Sequence, residues 1–253
     1  MKRYALFLDI DGTIATYRQP ISRELQRMLL YLKELRHKIF ICTGRGYSDI
    51  PDDIRNLVFD GYICSTGAYI RVGKRVIYSM PFPASTVHTL HKFLLSRGVS
   101  AYYESDCQIY RSEAREPLDH SVPDFKKAPV GTRFYSVAYH LAAGQGTSSF
   151  LPFPDTINAR SVPQSDHSGD IIMPTCNKAA AMRILLAFLK LEDYGTIAIG
   201  DSPNDVEMLI AADLGIAMGH APDALKRHAD RITGTFEEDG ACMALKNIFI
   251  KGM

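Results

Sequence analysis

Four aspartates, Asp9, Asp11, Asp201 and Asp205, stand in two short turns that each follow a run of apolar residues. The first turn, Asp9-Ile10-Asp11-Gly12-Thr13, follows Tyr4-Ala5-Leu6-Phe7-Leu8. The second, Gly200-Asp201-Ser202-Pro203-Asn204-Asp205, follows Thr196-Ile197-Ala198-Ile199. Carboxylates drawn together from two such turns repel one another unless a cation sits among them. Oxygen donors with no His or Cys cluster nearby suit a hard ion, Mg²⁺ in particular. For any one of these aspartates the ordinary alternative is a cap or turn residue. Acidic turns at two strand ends favour the metal reading, because open α/β sheets bind ligands at the carboxyl ends of their strands.

Positioning such turns requires a sheet, and the sequence supplies its elements. Leu25, Met28, Leu29, Leu32 and Leu35 recur with a helical period, with Ser22 as N-cap and Glu24 in the first turn. Two further apolar runs follow. Lys38-Ile39-Phe40-Ile41-Cys42 ends at Thr43-Gly44-Arg45, and Gly61-Tyr62-Ile63-Cys64 ends at Ser65-Thr66-Gly67. Strand, helix and strand in alternation predict a parallel sheet covered on both faces. The pattern breaks near Ser79, where Met80-Pro81-Phe82-Pro83 punctuates the chain. Beyond it, Val87, Leu90, Phe93 and Leu94 suggest a helix, and residues 100–103 and 134–141 suggest strands. Residues 83–167 are therefore expected to form an inserted α+β domain, with 1–82 and 168–253 forming the core. The α/β alternation resumes at Asp170-Ile171-Ile172-Met173, followed by a helix over residues 178–191.

Composition narrows the function classes. The 253 residues are 46% apolar and 23% charged, ordinary for a soluble globular chain. A net charge of +1 gives no electrostatic case for a nucleic-acid or membrane partner. Five cysteines at no metal-like spacing point to reduced thiols. The apolar run that ends at Leu8 is too short for a signal segment, and none approaches the ~18 residues of a membrane span. A cytoplasmic location is expected. No oligomeric state is indicated.

Taken in order, the Asp9–Thr13 turn, Thr43-Gly44-Arg45, Lys178 and the Gly200–Asp205 turn resemble the four motifs of the haloacid dehalogenase-like hydrolases. Gly215-Ile216-Ala217-Met218-Gly219 and Glu238-Asp239-Gly240 resemble the Cof-type sugar-phosphatase branch of that family. The resemblance implies a Rossmann-like core with a cap inserted between the second and third motifs. It implies a phosphatase acting on small phosphorylated metabolites, sugar phosphates in particular. In that scheme Asp9 attacks phosphorus, and Asp11 protonates the leaving oxygen and then activates water. Thr43, the Gly44 amide and Asn204 hold phosphoryl oxygens, with Lys178 neutralising charge. Mg²⁺ is held by the Asp9 and Asp201 carboxylates and the Asp11 carbonyl, and Asp205 supports the metal waters or Lys178. Three positions differ from the usual pattern: Pro174-Thr175-Cys176-Asn177 precedes Lys178 in place of a Gly-Val-Ser type run, and Thr66 and His220 each replace an Asn.

Two other activities share these motifs: a phosphomutase, and a non-catalytic sugar-phosphate-binding protein. A mutase must exclude water from the phosphoenzyme, whereas a binder has little use for both Asp9 and Asp11. Several residues stay open between two readings. Arg45 suits a substrate contact or a structural salt bridge, and His220 suits the site rim or the surface. Tyr102, Tyr103 and Tyr110 suit the substrate face of the cap or its packing. Cys176 reads as a packing residue and Gly144-Gln145-Gly146-Thr147 as a loop.

Overall fold

A strand that is apolar on both faces can bury both only in the middle of a covered sheet. The computed structural model describes residues 2–112, 122–142 and 144–250, and it places β1 (Tyr4–Leu8) in that position. Leu6 and Leu8 pack into one apolar core with Leu25, Met28, Leu29 and Leu32 of α1 (Arg23–Glu34) and with Leu245 of α7 (Gly240–Phe249). Ala5 and Phe7 pack into a second core on the opposite face. Its partners include Met182 and Leu185 of α4 (Lys178–Leu189), Leu209 of α5 (Val206–Ala211) and Leu225 of α6 (Asp223–Lys226). The expected cap of α1 is present, with Ser22 Oγ accepting the Leu25 amide at 3.0 Å.

The eight-stranded sheet adds β2 (Lys38–Cys42), β3 (Gly61–Cys64), β4 (Tyr69–Val72) and β5 (Arg75–Ser79) on one side of β1. The short helix α2 (Asp52–Arg55) lies between β2 and β3 in the chain. On the other side of β1 stand β11 (Gly195–Gly200), β12 (Leu214–Ala217) and β13 (Arg231–Ile232), giving the order β13-β12-β11-β1-β2-β3-β4-β5. Strands from β13 to β3 are parallel, and β4 and β5 form an antiparallel edge.

After β5 the chain builds a second sheet. Helix α3 (Ala84–Ser96) covers one face of β6 (Ser100–Ser105), β7 (Ile109–Arg111), β8 (Phe134–His140), β9 (Arg160–Pro163) and β10 (Ser168–Ile172), in the order β7-β6-β8-β10-β9. All of its pairings are antiparallel. Residues 113–121 and 143, inside the expected insert, lie outside the described residues.

One expectation needs correction, and one open reading is resolved. Residues 168–172 were expected in the core, yet β10 sits between β8 and β9 in the second sheet. An apolar run followed by a helix looks alike in either sheet, and only strand pairing decides. Tyr103 and Tyr110 do not face the first sheet. Side chains alternate across a strand, and Tyr103, in register with Val137, falls on the face packed against α3. Its hydroxyl meets His91 at 2.9 Å and its ring meets Phe125. Tyr110 is opposite Tyr103 and packs in the same cluster. No helix among the described residues is long and apolar enough to cross a membrane.

Tyr103 is fully buried, whereas Tyr17 is 92% exposed. Tyr103→Ala should therefore cost about 3–5 kcal/mol in urea unfolding, and Tyr17→Ala no more than about 0.5 kcal/mol. Equal costs would show that Tyr103 is not part of the packed core of the second sheet.

Candidate active site

The order of the large sheet reverses at β1, which continues through α1 to β2 on one side and pairs with β11 on the other. A crevice at the carboxyl ends is the consequence. Leu8 lies opposite Ile199, and the Asp9 amide donates to the Ile199 carbonyl at 3.1 Å. The two acidic turns therefore emerge side by side. Gly12 allows them to close on each other: its φ is +77°, and a methyl there would collide with Asp201 Oδ2.

At the centre stands Lys178, the first residue of α4. Asn177 caps that helix, its side chain accepting the Ala180 amide at 2.7 Å, which explains the unusual residue before the lysine. The Lys178 side chain is 0% exposed, and its Nζ donates to Asp9 Oδ1 at 2.7 Å and to Asp205 Oδ1 at 2.5 Å. Burial pulls the ammonium down, but Asp205 and Asp9 outweigh it and hold Lys178 above its ordinary value. Burial pushes Asp9 well above the usual carboxylate range, against the pull of Lys178. Asp201 is pushed up to about 7 by burial and by the neighbouring Asp205. Asp205 Oδ2 accepts the Asp201 and Ser202 amides, each at 3.1 Å, so its orientation is fixed from both ends.

Asp9, Asp201 and Asp205 present oxygens within 4.8 Å of one another. One ammonium does not balance three carboxylates, and the oxygen-only donor set with excess negative charge fits a hard divalent cation. The Asp11 side chain stands apart from this cluster. It is 51% exposed and takes a two-point ion pair from Arg45, Nε to Oδ2 at 2.7 Å and Nη2 to Oδ1 at 2.5 Å. Of the two readings of Arg45, the ion pair is the one observed. Arg45 Nη1 also donates to the Asp49 carbonyl at 3.2 Å.

β2 lies beside β1, so Thr43 and Gly44 follow the strand next to Asp9. Thr43 is buried, and its Oγ1 accepts the Arg45 amide at 3.2 Å. Asn204 reaches the same place: a methyl on Gly44 would lie 3.2 Å from Asn204 Nδ2 and 2.9 Å from Asp170 Oδ2. The structure thus brings Gly44 and Asn204 together and adds a carboxylate, Asp170, beside them. Asp170 is buried in β10 and accepts Gln164 Nε2 at 2.8 Å. Burial pushes it up to about 7, against the Gln164 hydrogen bond. Glu104 of β6 lies against Gly46 and accepts the Ser136 hydroxyl, which in turn lies 2.9 Å from Ser65 Oγ. The available signal was a carboxylate inside a buried strand, a rare placement for an unpaired acid.

Asp170 gains proton affinity on folding, so its contribution to stability is present below about pH 4 and is lost as pH rises toward 7. Relative to wild type, Asp170→Asn should become more stable across that window, by a few kcal/mol, and the difference should level off above about pH 8. Urea midpoints measured across the range test this. A constant difference would mean that the carboxyl keeps its ordinary pKa.

The sequence profile of the haloacid dehalogenase-like hydrolases matches residues 6–245. A Bacillus subtilis protein named 5-amino-6-(5-phospho-D-ribitylamino)uracil phosphatase is 26% identical over 267 residues, covering 98% of each chain. A solved sugar phosphatase of subclass IIB of that superfamily superposes with a TM-score of 0.80 at 26% identity, over 97% of this chain and 98% of the other. The chain also spans 53% of a longer Streptococcus pyogenes protein, 26% identical over 251 residues and 96% of this chain, whose name pairs a phosphatase with a peptidyl-prolyl isomerase. With the profile running from β1 into α7, this chain belongs to the haloacid dehalogenase-like hydrolases.

Proposed function

We propose that the protein is a Mg²⁺-dependent phosphatase that hydrolyses small phosphorylated metabolites, sugar phosphates in particular, through an aspartyl-phosphate at Asp9. The observation that carries this reading is the buried Lys178 ammonium bonded to Asp9 beside the Gly44–Asn204 pocket. A carboxylate approaching a phosphate dianion is repelled, and a fixed cation next to both offsets that repulsion. Relatives named for a phosphoribityl compound and for sugar phosphates support the substrate class.

In the first step Asp9 attacks phosphorus, the ester P–O bond breaks, and the leaving oxygen takes a proton from Asp11. In the second, Asp11 takes a proton from water, whose oxygen attacks phosphorus, freeing inorganic phosphate and the Asp9 carboxylate. Two easier steps replace one hard displacement. Asp11 must leave its ion pair with Arg45 and take up a proton before it can give one to the leaving oxygen. Thr43, the Gly44 amide, Asn204 and Lys178 hold the phosphoryl oxygens. The Asp9 and Asp201 carboxylates and the Asp11 carbonyl would hold Mg²⁺, with Asp205 fixing Lys178 and the Asp201 turn. The ion supplies charge neutralisation at the phosphoryl group.

Phosphate release from a panel of sugar, polyol and cofactor phosphates should stop in EDTA and return with Mg²⁺. Asp9→Asn, which keeps the shape and loses the attacking charge, should cut kcat by at least ~10³-fold, about 4 kcal/mol. A near-normal rate in the purified variant would assign the nucleophile elsewhere.

A further inference from the structure

His220 lies in the turn after β12, at the edge of the acidic cluster. Its ring is 34% exposed, and its Nε2 is 3.5 Å from Asp201 Oδ2. Both atoms press against Gly12, where a methyl would lie 3.2 Å from His220 Nε2. On the far side of the ring, Nδ1 accepts the Phe236 amide at 3.3 Å. The loop that supplies this amide is itself pinned: the Gly219 amide donates to the Gly234 carbonyl at 2.9 Å, and the Thr235 amide to Glu238 at 2.8 Å. The ring is therefore held between a fixed backbone donor and a carboxylate.

That arrangement decides which nitrogen carries the proton. Neutral imidazole has one donor and one acceptor nitrogen. With Nδ1 accepting from Phe236, the hydrogen is on Nε2, the ring atom that stands 3.5 Å from Asp201 Oδ2. For Nε2 to bind a metal it would need a free lone pair, and the hydrogen would move to Nδ1, donor against donor at Phe236. The ring thus turns an N–H edge, and not a lone pair, toward the Asp201 carboxylate. Asp201 Oδ1 meanwhile accepts Thr13 Oγ1 at 3.3 Å. Each carboxylate oxygen has two lone pairs, so a hydroxyl bonded to Oδ1 and an N–H edge facing Oδ2 leave acceptor capacity for a cation.

We infer that His220 is a positioning residue for the metal site: it orients the Asp201 carboxylate through Oδ2 and leaves the cation an all-oxygen ligand set. This rests on the metal reading proposed above. Partners that orient metal ligands contribute about 10–100-fold in metal affinity, and three side-chain replacements separate the roles of the two ring nitrogens. His220→Ala removes both. His220→Gln places an amide N–H near the Nε2 position and keeps the donor to Asp201. His220→Asn places its polar atoms near Nδ1 and keeps only the acceptor for Phe236.

The test is calorimetric titration of Mg²⁺ into metal-free protein, with melting temperatures taken in EDTA. The expected result is Mg²⁺ affinity at least about tenfold weaker in the Ala and Asn variants and within about threefold of wild type in the Gln variant. Unchanged Mg²⁺ affinity in His220→Ala with a lowered melting temperature would overturn the inference and leave the histidine as a staple for the Phe236 loop. A loss confined to Zn²⁺ or Mn²⁺, with Mg²⁺ binding intact, would overturn it in favour of direct ligation. Wild-type protein that takes up no Mg²⁺ would defeat the metal reading itself, a failure distinct from equal binding by wild type and variant.

Discussion

Everything at the site is arranged around one ammonium with no access to water. A buried charge is tolerated only when it is paired and hydrogen-bonded, and Lys178 meets that condition through Asp9 and Asp205. The demand propagates outward. Asp9 must end β1 and Asp205 must close the turn after β11, so these strands must be neighbours in the observed register. Helix α4 must begin at Lys178, which fixes Asn177 as its cap. The pairing is also incomplete by design of the cluster, because Asp201 adds a carboxylate that the lysine does not touch. Fold stability and the proposed affinity for a divalent cation would therefore draw on the same group of atoms.

The second sheet closes the other side. Glu104, Ser136 and Ile172 are in register across β6, β8 and β10, and Asp170 shares their face, which is turned toward the core. Glu104 meets Gly46 and Asp170 meets Gly44, so two acids of the second sheet touch the loop proposed to hold a phosphoryl group. An ionised carboxylate there would oppose substrate binding. Burial raises both, Asp170 to about 7 and Glu104 well above its usual range, and so reduces the charge that a phosphate would meet. Arg45, on the same loop, is committed to Asp11.

The core was legible because its signals are local. Apolar runs ending in acidic turns, a helical period with Ser22 at its start, and the break near Ser79 each need only a few consecutive residues. Strand-end logic placed both acidic turns where α/β sheets bind ligands, and the convergence of Asp9 with Asp201 was what the family resemblance implied. What the sequence could not convey depends on pairing between distant segments. The run at Asp170-Ile171-Ile172 says strand, but nothing in it selects β8 as a partner over the strands of the core. Tyr102 and Tyr103 are adjacent and equally aromatic, and which of them faces the core depends on a register set by β8. Asp170 escaped notice for the same reason: it became a site residue only when its strand crossed to the other sheet.

The two carboxylates of the first turn show how far identity of type is from identity of role. Asp9 and Asp11 are two residues apart, yet one is buried against an ammonium and the other half exposed against a guanidinium. Strand alternation alone would have put them on one side. The turn at Gly12 breaks that alternation, folding the chain so that the Gly12 amide reaches the Ala15 carbonyl at 2.9 Å. Asp9 is held within the sheet by its amide bond to Ile199, while Asp11 is released to the rim. A nucleophile benefits from being fixed, because a misplaced attacking atom loses the advantage of proximity. A group that must give a proton in one step and take one in the next needs freedom to move. On the proposed mechanism the same five-residue turn would supply both, with Arg45, on the loop after β2, holding the Asp11 carboxylate until a substrate competed for it.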